Sequence, residues 1–244
     1  MIADLSLSYS PSESVNKIMD SQAASLGFGV VFSNLLVTTK TPDWEKQVSA
    51  LAKSVSDRNG STLLAKPVKP SSSRTLEIFA RVTLALQQAD KVSSIIDSHI
   101  MKIRGSRFVE CFCIRPANEA QLLELLSRPE LYDMLSIDVS SGNFFQQIYV
   151  CVKAIKAVSD VVIELEASQG NRGSSELMNF ISQTKLVVAK TGAGIVSSGA
   201  KSPFEMKSPI DLISLADSIL GLRGSRKRIA AIIEKSRKRR IINM

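Results

Sequence analysis

The sequence predicts an α/β barrel, extended by helices at its C-terminal end. Short apolar runs rich in Val, Ile and Phe recur along 244 residues, and helix-patterned stretches separate them. The runs are nearly continuous in hydrophobicity, as parallel strands covered on both faces require. A chain of this length buries a full core, with 44% hydrophobic and 22% charged residues. Strand–helix alternation sets the α/β class, and seven strands in one rhythm favour a single barrel over two domains.

The elements follow in order. Residues 2–7, "IADLSL", form the first strand, and residues 12–26 a helix. A strand at 29–33 and a helix at 43–58 come next. Residues 59–73, "NGSTLLAKPVKPSSS", are rich in Pro, Ser and Gly and read as a surface loop. That loop is no boundary, because the units before it are too few to bury a core; one domain covers 1–244. Strands at 76–86 and 108–114 follow. The latter carries Cys111 and Cys113, which share one strand face and cannot easily bridge. "PANEAQLLELL" opens with Pro116 and Asn118 before a leucine stripe, a helix start over 118–126. Strands at 134–139, 160–165 and 194–198 alternate with helices at 144–158 and 174–189. Two helices then follow in succession, 209–220 and a basic one at 225–240.

No apolar run approaches the roughly 20 residues of a bilayer span, so no membrane segment is expected. The opening "MIADLSLSYS" lacks the basic-then-apolar order of a signal peptide. Cys111, Cys113 and Cys151 are odd in number and lack framework spacing, which predicts a reduced, intracellular protein.

Charge is the more informative property. The formal net charge is +8. Residues 223–240 hold nine basic side chains against one acid, Glu234, which leaves 22 of each sign in residues 1–222. The whole excess therefore lies at one end of the chain, as a localised anion-binding surface does. In "SRKRIAAIIEKSRKRR", Ile229, Ile232 and Ile233 recur at helical spacing and should face inward, while the cations project outward or from the ends. Phosphate-backbone contact is the favoured reading; a solvated face or an import signal in "KSRKRR" is the alternative.

Catalytic chemistry finds little support. His99 is the single histidine, so a histidine-rich metal site of the phosphoesterase kind cannot be assembled. Strand-end carboxylates exist at Asp4, Asp138, Glu164 and Glu166, but Asp4 reads more simply as a cap or hydrogen-bonding post. No catalytic and no metal residue is assigned. In "TGAGIVSSGAKSPFEMKSPIDL" the first glycines fit neither a Walker A loop nor a dinucleotide fingerprint, since a strand follows them. Ser197, Ser198 and Gly199 at the end of that strand could contact phosphate, with Lys201 supplying charge. A tight turn whose serines satisfy local backbone groups is the equally open reading.

These residues resemble a known family, the thirty-kilodalton protein subunit of ribonuclease P, shared in eukaryotes with RNase MRP. "IADLSL" is similar to the family's opening strand, "AASLGFGVVFSN" at 23–34 to its helix–turn–strand unit, and "IELE" at 163–166 to a later strand. "GIVSSGAKSPFEMKSPIDLISLADSILGL" at 194–222 is the most specific stretch, with Ser197, Ser198, Gly199, Ala200, Pro203, Glu205, Lys207, Pro209 and Asp211 in place. "AAIIEKSRKRRII" resembles the family's last helix through Arg237. The chain departs from the pattern at Ser6, where an acid is usual, and at Ser175 and Glu176, where cations are common and only Arg172 remains. "LRGSRKR" is more basic than usual, which moves positive charge toward the C-terminal helix.

The resemblance implies a TIM-barrel-like fold related to the polymerase-and-histidinol-phosphatase superfamily, without its metal cluster. It implies a non-catalytic subunit with no cofactor of its own, because the RNA performs the Mg²⁺-dependent removal of the precursor tRNA 5′ leader. Implied partners are the RNase P and MRP RNAs, precursor tRNA indirectly, and other protein subunits, above all a small α/β one. Implied locations are the nucleus and nucleolus, with a role in rRNA processing through MRP. On charge and position, the RNA-contact candidates are Lys201, Lys207, Arg223, Arg226, Lys227, Arg228, Lys235, Arg237 and Lys238. A barrel enzyme acting on a small phosphorylated substrate is the rival reading, with Ser197, Ser198, Gly199 and Lys201 gripping the phosphate and Asp4, Glu164 or Asp138 as acid or base.

Overall fold

A computed structural model of the chain describes residues 3–64, 76–137, 162–166, 178, 181–182, 194–222 and 225–243. Seven parallel strands stand side by side in chain order: β1 (Ala3–Ser8), β2 (Val30–Thr38), β3 (Glu77–Ala85), β4 (Cys111–Arg115), β5 (Met134–Ser136), β6 (Ile163–Glu166) and β7 (Gly194–Ser197). The sheet curls until its edges meet. Leu7 of β1 bridges Ala200 just beyond β7, and the Ser8 N–H donates to the Ala200 carbonyl at 2.9 Å. Gly199 makes the turn into this bridge with φ of 62°, a left-handed conformation that a side chain would strain. The result is a nearly closed barrel, as the sequence predicts.

Among the described residues, helices connect the first five strands. They are α1 (Glu13–Ser25), α2 (Trp44–Leu64), a bent α3 running through Val92–Ile95, Ile96–Ile100 and Met101–Gly105, and α4 (Glu119–Leu126). After β7 come α5 (Pro209–Ser214), continued by a π turn at Leu215–Ile219, and α6 (Ser225–Asn243). Local chemistry sets the starts. Asn118 caps α4 by accepting the Gln121 N–H at 2.9 Å, and Ser208 with Asp211 forms a reciprocal capping box ahead of Pro209 in α5.

Alternation along the strands separates two cores. Outward residues such as Val31, Ile78, Val82, Phe112 and Leu135 meet the helices. Inward residues Val30, Phe32, Phe79, Cys111, Cys113, Met134 and Ile195 fill the lower barrel together with Ile232 and Ile233 of α6. Phe32 and Phe79 face each other across the register and stack at 5.0 Å. Cys111 and Cys113 do share one face, both buried as free thiols. Burial pushes the Cys113 thiol up to about 12, and that of Cys111 well above its usual range.

The structure revises several boundaries. The loop expected at 59–73 begins later, since residues 59–64 are the last turns of α2. Asn59 holds them to the sheet, with its amide exchanging hydrogen bonds with the N–H and carbonyl of Ile78 at 3.1 and 2.8 Å. The remainder of that loop lies outside the described residues. Strand β2 runs through Thr38 rather than stopping at 33, because it pairs with β3 over nine residues. Helix α3 has no counterpart in the predicted elements. Its buried Val92, Ile95, Ile100 and Ile103 are spaced by 3, 5 and 3 residues, because the π turn inserts a residue and breaks the 3.6-residue stripe. The predicted helix at 144–158 lies outside the described residues, as does most of the one at 174–189, where Met178, Ile181 and Ser182 are helical.

Candidate nucleic-acid interface

The C-terminal ends of barrel strands are where such folds place active sites. Here a connected polar layer runs from the middle of the strands to the ends of β4 and β6. Arg81 of β3 and Glu164 of β6 are both fully buried and form a two-pronged ion pair at 2.6 and 2.5 Å. The Arg81 guanidinium also donates to the Thr83 hydroxyl, which donates to Asn34, whose amide donates to Ser6. Ser6 in turn donates to Glu166 at 3.0 Å, and Glu166 pairs with Arg115 at 2.8 Å, which reaches Ser136. Burial alone would favour a neutral Arg81; the Glu164 carboxylate beside it overrides this and holds the guanidinium protonated. The glutamates that could serve as acid or base are therefore each bound to an arginine.

Asp4 sits at the seam between β1 and β7. One of its oxygens accepts the Ser198 N–H at 3.1 Å and the Ser6 N–H at 3.2 Å. The other is buried without a hydrogen-bond partner. Burial pushes its carboxyl up to about 6, against the opposing effect of the bonds from Ser198 and Ser6. Ser197 and Ser198 are fully buried here, and the Ser198 hydroxyl accepts the Ala200 N–H. The Ser198 N–H that a phosphate would need is thus bound to Asp4. Asp138 lies outside the described residues. Among the described residues no group of three or more His, Cys, Asp and Glu converges as metal ligands. His99 lies on α3, where its ring tilts against Trp44 at 5.8 Å.

The opposite end of the barrel explains much of the basic helix. Glu77, Glu110 and Asp133 stand immediately before or at the starts of β3, β4 and β5. Helix α6 crosses this floor and meets all three. Arg237 pairs with Glu77, Arg240 with Glu110 and Glu77, and both Arg239 and Lys235 with Asp133. The Arg240 guanidinium also lies over the Phe79 ring at 4.2 Å. Burial would push the Asp133 carboxyl up, but Arg239, Lys235 and the Phe112 N–H outweigh it and hold the carboxyl below its usual range. Between the cations, Ile232 and Ile233 insert into the lower core. Four of the nine basic residues therefore clamp α6 onto the barrel.

The other candidates divide clearly. Lys238 pairs with Glu234 along the exposed face of α6 at 2.8 Å. Arg228 is half-buried, which pushes its pKa down. Arg226 and Lys227, at the start of α6, are exposed and make no ion pair among the described residues. They border a cleft of about 780 Å³ between α5 and α6, floored by Val196, Leu212, Ile213 and Ile229. Lys201 is exposed and Lys207 partly so, both on the loop leading to α5. Arg223 lies outside the described residues. The candidates thus divide among the loop after β7, the start of α6 and its later turns, where Lys235 and Arg237 hold barrel carboxylates and Lys238 holds Glu234.

Over residues 1–240 the sequence matches the family described as RNase P subunit p30. The chain belongs to that family. No curated protein sequence matches this p30-family chain. Its fold is similar to that of a chain in a "cryo-EM structure of archaeal Ribonuclease P with mature tRNA". That match has a TM-score of 0.63 and 15% identity, and covers 97% of this p30-family chain and 90% of the other.

Sequence reasoning missed the carboxylate partners of the basic helix. The signal was present: "EIF", "ECF" and "DML" each put an acid directly before an apolar strand core. Three such acids at the starts of consecutive strands mark one end of a parallel barrel as negative.

Proposed function

We infer that this chain is a non-catalytic protein subunit of ribonuclease P, supporting RNA-catalysed removal of the 5′ leader from precursor tRNA. Family membership over residues 1–240 is the observation that carries this reading. The buried ion pairs of the barrel support it. Of the carboxylates that the small-phosphate enzyme reading would use, Glu164 is held in a buried ion pair with Arg81, and the neighbouring Glu166 is held by Arg115.

In this role the chain uses no cofactor of its own, and Mg²⁺ belongs to the RNA. Its exposed cations neutralise phosphates so that RNA segments can approach closely at moderate Mg²⁺. Such contacts position RNA and need not read bases. Arg226 and Lys227 lead this surface, with Arg223 and Arg228 adjacent in sequence and Lys238 farther along α6, while Lys201 and Lys207 stand apart on the separate loop. Lys235 and Arg237 act chiefly through the barrel carboxylates they already hold. A phosphate contact at Ser197, Ser198 and Gly199 would have to displace Asp4 from the Ser198 N–H. The same reading extends to RNase MRP and rRNA processing, to nuclear and nucleolar location, and to a small α/β protein partner.

Tagging the chain in its own cells, purifying it and sequencing the bound RNA tests this. RNase P RNA should dominate, with MRP RNA beside it. Recovery of neither would contradict the reading.

A further inference from the structure

The loop between β7 and α5 presents an aromatic side chain that no packing explains. Phe204 is 99% exposed and Ile210, six residues on, is 74% exposed. Large apolar groups displayed this fully are commonly part of a recognition surface.

The segment that carries them is held rigidly. Pro203–Glu205 forms a 3₁₀ turn that packs against α1. The Glu205 carboxylate accepts the Lys201 N–H at 2.7 Å, and the Glu205 N–H reaches the Ser202 carbonyl at 3.1 Å. Met206 and Pro209, between Phe204 and Ile210, are buried as anchors. Ser208 and Asp211 then lock the start of α5 through their capping box. The backbone that carries Phe204 is thus held in one geometry, which lowers the ordering cost of binding.

Charge decides what this patch suits. Residues 201–211 hold Lys201 and Lys207 against Glu205 and Asp211 and are formally neutral. Both acids are turned onto their own loop, while Lys201 and Lys207 make no ion pair among the described residues. A locally neutral surface offers a polyanion little long-range attraction, and Ile210 has no ring on which a base could stack. An exposed aromatic anchor, with an exposed aliphatic side chain and two unpaired ammonium groups on the same short segment, complements an apolar pocket rimmed by acids.

We propose that Phe204 is the anchor of a protein-docking surface, completed by Ile210 and flanked by Lys201 and Lys207. Its partner is a protein subunit of the same particle, bearing an apolar pocket with an acidic rim. This rests on the subunit role inferred above. RNA recognition remains with the cations at the start of α6.

The test places benzoylphenylalanine at position 204 in the full chain, irradiates the purified particle and identifies the attached molecule. The expected product is a single co-purifying protein. Phe204→Glu should lower retention of that protein at least about tenfold, and Phe204→Leu should keep most of it. The melting temperature should stay unchanged in both, since the side chain packs against almost nothing. In a particle that contains RNase P RNA, attachment to RNA, no attachment, or unchanged retention in Phe204→Glu overturns the docking proposal alone. A wild-type preparation without RNase P RNA overturns the subunit reading instead.

Discussion

Helix α6 performs two tasks with chemically similar residues, and substitution should separate them. Arg226 and Lys227 are exposed and unpaired among the described residues, whereas Arg239 is bound to the buried Asp133. Each phosphate contact contributes about 0.7–0.9 to the slope of log affinity against log salt. Arg226→Gln with Lys227→Gln should therefore lower the RNA-binding slope by about 1.6. Between 50 and 200 mM salt, the affinity gap to wild type should then shrink about tenfold. Thermal stability should not change. Arg239→Gln should do the reverse. Removing one partner of a buried pair costs about 3–5 kcal/mol. Arg239 is one-fifth exposed and Lys235 remains on Asp133, which lowers the figure to about 2 kcal/mol. In a domain of this size that is a fall of about 4–8 °C in Tm, with the salt slope intact. Filter binding across a salt series and calorimetry read both quantities. An unchanged slope in the double variant, or an equal fall in slope for Arg239→Gln, would refute the division.

Three further outcomes follow from the barrel interior. Arg81→Met leaves Glu164 fully buried and unpaired and should cost about 3–5 kcal/mol in denaturant unfolding, while adding Glu164→Leu should restore part of that loss. Asp4 has a folded pKa of about 6 against an ordinary 3.8, so the native state binds more protons between those values. Stability should therefore fall as pH rises from about 4 to 6, by about 3 kcal/mol at most, and urea midpoints of Asp4→Asn should lack this fall. In a Cys151→Ser background, Cys111 and Cys113 should stay unlabelled by a thiol reagent in the native state and react only on unfolding; native labelling would contradict their burial.

The barrel was legible because its signals are local. Apolar runs long enough for one strand each, such as "CFCI" and "GIVS", and the Asn118 cap mark elements without any tertiary knowledge. Helix α3 was illegible for a physical reason, since its π turn shifts Ile100 and Ile103 off the stripe begun by Val92 and Ile95. The basic helix was half legible. Its charge and its isoleucine face could be read, but pairing Arg239 with Asp133 joins residues 106 apart, and only the closed barrel brings them together. The Arg81–Glu164 pair is the same case across 83 residues; Glu164 invites an acid–base reading until its arginine is seen. In "SSGAK" the residues most suggestive of phosphate binding lie in the seam, while Phe204, unremarked in sequence, stands free.

Assignment to ribonuclease P is best tested by activity that travels with the chain. Extract from cells carrying the tagged chain is passed over affinity resin, and cleavage of a 5′-extended precursor tRNA is measured in eluate and flow-through. Membership predicts that the Mg²⁺-dependent activity is retained with the chain, is recovered on elution and is abolished by digesting the RNA. Activity left wholly in the flow-through, with the chain fully captured, would contradict it.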